Sequence, residues 1–157
     1  MIEQVINKWL SEMKRDLISN YDKLGLRASG DWAKSLEEFQ KISDSTIKAG
    51  ILGNDYTVYL EQGRRPNRNQ SPEALRAWVG YAGSTFLKEW VDKKGINVNP
   101  YAVAWKIARE GWEVPNRHNK GGLVSDVVNR SKMIDLIRSI GNYFISSFRS
   151  DVINKFK

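Results

Sequence analysis

Cysteine is absent from this 157-residue sequence, and there is a single histidine, His118. Without cysteine the chain has no disulfide, no thiolate nucleophile and no cysteine-ligated metal site. One histidine excludes a histidine-rich metal site and an acid/base mechanism that uses a histidine pair. We therefore expect no metal site, no cofactor and no catalytic residue.

Long apolar runs are also missing. The longest unbroken one extends from Tyr101 to Trp105, far short of the roughly 20 residues that a membrane-spanning helix needs. No basic leader followed by an apolar run is found near Met1. These features predict a soluble protein that is made in a cytoplasm and has no membrane partner.

Acidic residues are too few to balance the basic ones. The chain has 25 Lys and Arg against 18 Asp and Glu, a formal net charge of +7. The excess begins at a segment that we call the Arg64–Arg68 loop, Arg64-Arg65-Pro66-Asn67-Arg68. Guanidinium groups on a proline-stiffened loop suit bidentate contact with carboxylates or phosphates. Arg64, Arg65 and Arg68 are therefore candidates for contact with phosphates or with a partner's carboxylates, with a solvated loop tip as the alternative.

The apolar spacing in the first half of the chain predicts a mixture of helix and strand. A helical stripe begins at Ile2 and is broken by residues 22–30. Residues 35–42 and 46–52 predict a β-hairpin around Ser43-Asp44-Ser45. Tyr56, Tyr59 and Leu60 favour a short helix that Gly63 closes.

Helices dominate the second half. Ser71-Pro72-Glu73 and Asn99-Pro100 are helix start signals, and Gly111 ends the helix that the second one starts. Gly83-Ser84 predicts an interruption between two helices that cover 72–94, and residues 113–123 predict a loop. A long helix follows from about Ser131, with this stripe: Ile134, Ile137, Gly141, Phe144, Phe148 and Val152. The expected fold is α+β in a single domain of residues 1–157, with a small antiparallel sheet packed against amphipathic helices and long helices at both ends.

Six tryptophans are a large number for a chain of this length. Five of them fit core positions on apolar faces: Trp9, Trp32, Trp78, Trp90 and Trp105. Trp112 follows a helix end, and we expect it to be partly exposed. Because aromatic residues are enriched at protein interfaces, the surplus also indicates oligomerisation.

The sequence gives little support for catalysis. His118 lies in the polar segment Asn116–Lys120, near Ser125 and Asp126, but a triad requires mutual hydrogen-bond geometry that sequence proximity does not supply. An exposed loop histidine is the simpler interpretation, and a hydrolase around His118 is the least favoured hypothesis. No phosphate-binding glycine loop or zinc-protease helix is present. We therefore expect a protein that is not an enzyme.

Four segments, in order, resemble a known family. They are Ser29-Gly30-Asp31-Trp32, the segment from Asp55 to Pro66, Trp90-Val91-Asp92-Lys93-Lys94-Gly95-Ile96, and the segment from Tyr101 to Gly111. Together they are similar to small head–tail morphogenesis proteins of tailed phages, namely the minor tail, neck and tail-completion proteins. The chain departs from the family pattern at Thr57, where the family prefers alanine.

The resemblance implies an α+β structural protein of the virion that forms a homo-oligomeric ring at the portal–tail junction and is assembled in the bacterial host cytoplasm. Implied partners are further copies of the chain and neighbouring portal, connector or tail-tube proteins, with non-specific contact to DNA in the channel. In such a ring, Arg64, Arg65 and Arg68 are expected at a subunit contact or facing the lumen. The alternative is a DNA-binding accessory protein that uses helices 72–94 and the Arg64–Arg68 loop.

Overall fold

The computed structural model describes residues 1–43 and 46–156. The fold is α+β, which confirms the predicted class. The helices are α1 (Ile2–Lys23), α2 (Asp31–Lys34), α3 (Thr57–Gln62), α4 (Pro72–Ser84), α5 (Phe86–Lys94), α6 (Pro100–Glu110) and α7 (Arg130–Lys155). The strands are β1 (Glu37–Ser43), β2 (Thr46–Leu52), β3 (Gly63–Arg64) and β4 (Trp112–Glu113). No helix in the described part of the chain is both long and apolar enough to span a membrane.

The chain divides into two compact units. The first comprises Met1–Asn20, Ser35–Gly53 and Gly122–Lys157, and the second comprises Tyr21–Lys34 and Asn54–Gly121. Single-domain organisation of residues 1–157 stays a prediction.

In the first unit, α1 provides a buried stripe. Ile6, Leu10, Met13 and Leu17 are each at most 4% exposed, as their helical spacing predicts. The first turn of α7 is joined to α1 by two polar contacts: Trp9 Nε1 donates to the carbonyl of Lys132 at 3.2 Å, and Lys132 Nζ donates to an Asp16 carboxylate oxygen at 2.8 Å. These contacts fix the start of α7.

The same unit contains the predicted hairpin. Strands β1 and β2 are antiparallel, with Glu37 opposite Leu52 and Ser43 opposite Thr46. The turn residues Asp44 and Ser45 lie outside the described residues. Most side chains of both strands are exposed, and Ser11 Oγ of α1 donates to Glu38 Oε2 at 3.0 Å.

The second unit has a core built from small and branched side chains of three helices. Val79 and Ala82 of α4, Leu87 of α5, and Ala104 and Ala108 of α6 form one buried cluster. The alanines let the helix backbones approach each other closely. Gly83 serves the same purpose, since a Cβ there would lie 2.5 Å from the Tyr101 ring.

Both proline-containing helix starts are confirmed. Ser71 Oγ accepts from the backbone N–H of Ala74 at 3.2 Å, and Asn99 Oδ1 accepts from that of Tyr101 at 2.9 Å. These contacts satisfy amide groups that have no partner within the first turn of a helix.

Two expectations about this region were wrong. Helix α4 continues through Gly83 and Ser84, and the break comes at Thr85, whose φ and ψ are −115° and −107°. Trp105 was expected in the core, but it is 36% exposed. The buried residues of α6 are Ala104 and Ala108, with Val103 and Ile107 partly buried beside them.

The other tryptophans are placed more nearly as expected. Trp32 is 1% exposed, and Trp9, Trp78 and Trp90 are partly buried. Trp112 is partly exposed, as predicted.

Candidate interaction loop

Two glycines that end helices fix the start of the Arg64–Arg68 loop. Gly63 ends α3 and Gly111 ends α6, with φ of 81° and 78°, values that L-residues with a side chain rarely adopt. Gly63 is the first residue of β3, and Gly111 directly precedes β4. The two strands pair antiparallel, with Gly63 opposite Glu113 and Arg64 opposite Trp112. The ends of α3 and α6 are therefore clamped together by backbone hydrogen bonds.

Asn67 holds the loop against α6 and braces it internally. The N–H of Asn67 donates to the carbonyl of Ala108 at 2.7 Å, and Asn67 Nδ2 donates to Gln70 Oε1 at 3.0 Å. A Cβ at Gly111 would lie 2.5 Å from the carbonyl oxygen of Arg64 and 2.9 Å from Pro66 Cδ. The loop backbone is thus closely packed on a helix end.

Arg64 does not point into solvent. Its guanidinium carbon lies 3.9 Å from the centroid of the Trp78 ring, a cation–π geometry. Burial lowers the pKa of Arg64, and interaction with Tyr59 partly offsets this effect. The Arg64 side chain therefore contacts residues of its own unit, and in this respect it differs from the side chains of Arg65 and Arg68.

Arg65 and Arg68 are exposed. Neither forms an ion pair with any carboxylate in the described part of the chain. They line an open depression of about 590 Å³ together with Pro66, Asn67, Asn69 and Gln70. This arrangement offers two guanidinium groups and several amides to an anionic or polar partner.

The helix pair α4–α5 differs from a helix-turn-helix. One residue, Thr85, separates the two helices, whereas that motif has a turn of three to four residues. The lysines of α5 already have partners in the chain: Lys88 pairs with Asp92 at 2.8 Å, Lys93 pairs with Glu89, and Lys94 Nζ donates to the carbonyl of Gly25 at 2.6 Å. These features weigh against α5 as a helix that reads a DNA groove.

His118 is exposed, and its imidazole is engaged by its sequence neighbour. Arg117 Nε donates to His118 Nε2 at 2.8 Å, and the His118 backbone N–H donates to Asn116 Oδ1 at 2.8 Å. The accepting ring nitrogen, which a general base would use, is therefore directed at a guanidinium.

Asn119, which no sequence pattern singles out, is 1% exposed. Its Nδ2 donates to the carbonyl of Leu60 at 2.7 Å, and its Oδ1 accepts from the N–H of Gly121 at 2.9 Å. Asn116 Oδ1 accepts from the N–H of Asn119 at 2.9 Å. The loop after β4 is thus tied to α3 by the buried side-chain amide of Asn119. In the sequence, only the density of asparagine and glycine in this segment hints at this role.

Among the described residues, no group of three or more His, Asp or Glu side chains is arranged to hold a metal ion. Comparisons with protein-family models, with curated proteins and with solved structures find no match for the chain.

Proposed function

We propose that this chain is a structural protein of a tailed-phage virion, a neck, tail-completion or head–tail joining component that forms a ring at the portal–tail junction. Its partners are further copies of itself and portal, connector or tail-tube proteins. The proposal assigns no catalytic residue, cofactor or metal.

The observation that carries this proposal is the placement of the four segments that resemble the family. All four lie in the second unit, Tyr21–Lys34 and Asn54–Gly121. Trp32 of the first segment donates from Nε1 to Thr57 Oγ1 of the second at 2.9 Å. The second segment contains β3, and the fourth ends at Gly111, directly before β4, with which β3 pairs. Segments that are far apart in sequence thus build one structural unit, as expected of a family signature that reflects a shared fold.

A ring protein also needs surfaces to contact its neighbours. Large apolar side chains are exposed in both units, including Tyr59, Tyr81 and Phe86 in the second. Extensive exposed apolar surface marks interaction sites in soluble proteins. Arg65 and Arg68 add a cationic surface suited either to an acidic neighbour or to DNA passing through a channel.

Mass photometry combined with negative-stain imaging tests the proposal. We expect closed rings whose mass is an integer multiple of 18.0 kDa, or incorporation of the protein into tails. A protein that stays monomeric at every concentration and enters no particle contradicts it.

The DNA-binding alternative is favoured by one observation: the guanidinium groups of Arg65 and Arg68 are exposed and form no ion pair with the described carboxylates. It predicts a monomer that shifts duplex DNA, with an affinity that falls steeply as salt increases. A gel-shift titration at several salt concentrations, run beside the mass measurement, separates the two functions.

A further inference from the structure

Residues 144–156 comprise the second half of α7 and the residue that follows it, and each of them is exposed. We call this segment the distal half of α7. Its large apolar side chains are strongly exposed, with Phe144 at 55%, Ile145 at 62%, Phe148 at 71%, Ile153 at 56% and Phe156 at 88%. The apolar stripe that the sequence shows is therefore not covered by the rest of the described chain in this part of the helix.

An exposed apolar helix face of this kind requires a packing partner. Most helical stability in proteins comes from the packing of an apolar face, and helical segments of about 12–15 residues are marginal in water without it. The apolar positions Ile134, Ile137, Gly141, Phe144 and Phe148 follow steps of three, four, three and four residues. This heptad spacing is typical of helices that pair with other helices.

The exposed area is sufficient for an interface. Aromatic side chains bury about 150–250 Å² each when covered, and three phenylalanines and several branched residues line this face. The face thus offers apolar area on the order of 600–800 Å², compared with about 800 Å² per partner in a standard protein interface.

The charges of the distal half favour protein over lipid or nucleic acid. Arg149, Asp151 and Lys155 nearly balance, and the remaining polar positions are mostly serine and asparagine. Helices that bind a membrane surface are rich in Lys and Arg on the polar face, and nucleic-acid binding requires concentrated positive charge. The near balance also leaves little repulsion between two copies of the same segment.

A matching partner helix must present a free heptad face of its own. The other long helix, α1, has its stripe buried at Ile6, Leu10, Met13 and Leu17. The free heptad face on a long helix in the described part of the chain is that of α7 itself.

We propose that the distal half of α7 packs against α7 of a second copy of this chain. The inference rests on the proposed function in that it names a contact between copies within the ring, but it also stands for any other homo-oligomer. Since cyclic assemblies repeat one contact around an axis, the same pairing serves a dimer or a bundle of helices around a ring axis.

The test compares two variants of the full chain by mass photometry and analytical ultracentrifugation. The first, Phe144→Ser/Phe148→Ser, removes the centre of the apolar face. The matched control, Ser147→Asn/Ser150→Asn, changes the polar side of the same turns. We expect the first variant to weaken self-association at least about 100-fold and the control to match the wild type. Circular dichroism and thermal unfolding check that both variants keep the fold of the remaining chain.

Cysteine cross-linking gives a second readout, since the natural sequence has no cysteine. Single Phe144→Cys, Phe148→Cys and Val152→Cys variants are oxidised, with Asn142→Cys as the control. A disulfide-linked dimer in at least one of the three, and none in the control, supports the proposal. The absence of cross-links at all three positions overturns it.

The outcomes separate this inference from the proposed function. A wild-type ring that the Phe144→Ser/Phe148→Ser variant leaves intact rejects the α7 contact and retains the ring. A wild-type dimer that depends on Phe144 and Phe148 but never closes into a ring supports the α7 contact and contradicts the ring. A wild type that is monomeric at about 100 μM, or that associates only with lipid vesicles or with a different protein, overturns the α7 contact.

Discussion

The guanidinium of Arg64 stacks on the indole of Trp78, with 3.9 Å between the guanidinium carbon and the ring centroid. This contact joins β3 to α4 across a sequence separation that local patterns do not bridge. It also distinguishes Arg64 from the other loop arginines: Arg64 is partly buried, whereas Arg65 and Arg68 are exposed.

We predict that Arg64→Ala destabilises the protein by about 1–2 kcal/mol, because both the cation–π contact and the packing of the arginine stem are lost. Arg65→Ala, in an exposed position, is expected to stay within about 0.5 kcal/mol of the wild type. Urea unfolding of the two variants provides the comparison. In a double-mutant cycle with Trp78→Leu, a coupling energy of zero would argue against the contact.

Arg65 and Arg68 are expected to act in assembly or in DNA passage. If the loop lies at a subunit contact, Arg65→Ala/Arg68→Ala blocks ring formation, and the wild-type ring loosens as salt increases. If it faces the lumen, rings form normally and DNA packaging or ejection is impaired. Ring mass and particle infectivity are the measurements. Normal rings together with fully infectious particles leave the loop as a solvated tip.

Gly111→Ala is predicted to be strongly destabilising, by about 2 kcal/mol or more, since it combines a positive φ with a collision between the new Cβ and the Arg64 carbonyl. Gly25→Ala is the matched control: its φ is 68°, but a Cβ there meets nothing within 4 Å. The control is expected to show only the backbone strain, about 1 kcal/mol. Chemical denaturation measures both, and equal losses would show that the close approach at Gly111 has no energetic role.

Replacing buried Asn119 with leucine is predicted to reduce the free energy of unfolding by about 2–3 kcal/mol. The substitution leaves the Leu60 carbonyl and the Gly121 N–H without their present partners in a buried site. Asn69→Leu, at an exposed loop position, serves as the control. Thermal and urea unfolding should rank the variants in that order, and a neutral Asn119→Leu would contradict the role of this side chain.

Acid is expected to weaken the region around Asp22. Its hydrogen bond and ion pair with Arg27 hold the pKa of Asp22 below its ordinary value. The stabilisation is therefore complete above the ordinary pKa and is lost as pH falls through the folded-state pKa. Unfolding measured from about pH 5 down to pH 2 should show the wild type losing its advantage over Asp22→Asn. Arg27→Gln should remove the same pH dependence, and parallel pH profiles for all three proteins would contradict the assignment.

Features set by neighbouring residues were predictable from the sequence. Ser71 and Asn99 cap helices through hydrogen bonds that span two or three residues, so each signal is present in a few letters. The hairpin and the helix start at Ile2 follow from periodicity in the same way. The short strands β3 and β4 were not predictable, because two residues have no period and each strand finds its partner about fifty positions away.

Helical periodicity shows which residues share a face but not what covers that face. Trp105 and Phe148 both fit apolar stripes, yet Trp105 is 36% exposed and Phe148 is 71% exposed. In α6 the burial falls on alanines, whose small size signals close packing only once the neighbouring helix is known. The Arg64–Arg68 loop could be predicted from its composition. The packing of Arg64 could not, because it depends on where the fold places Trp78.

Pairing of β3 with β4 closes a loop that contains α4, α5 and α6. Closing a segment of this length has an entropic penalty that grows with the logarithm of its length, and a two-residue ladder supplies few hydrogen bonds to offset it. We therefore expect the α4 and α6 helices, which share the core around Ala82 and Ala104, to pack first and to bring the two glycines together. If the helices pack first, Gly111→Ala accelerates unfolding and barely slows folding, because the contact it disrupts forms late. Ala104→Gly, in the core between the helices, slows folding because its contacts form early.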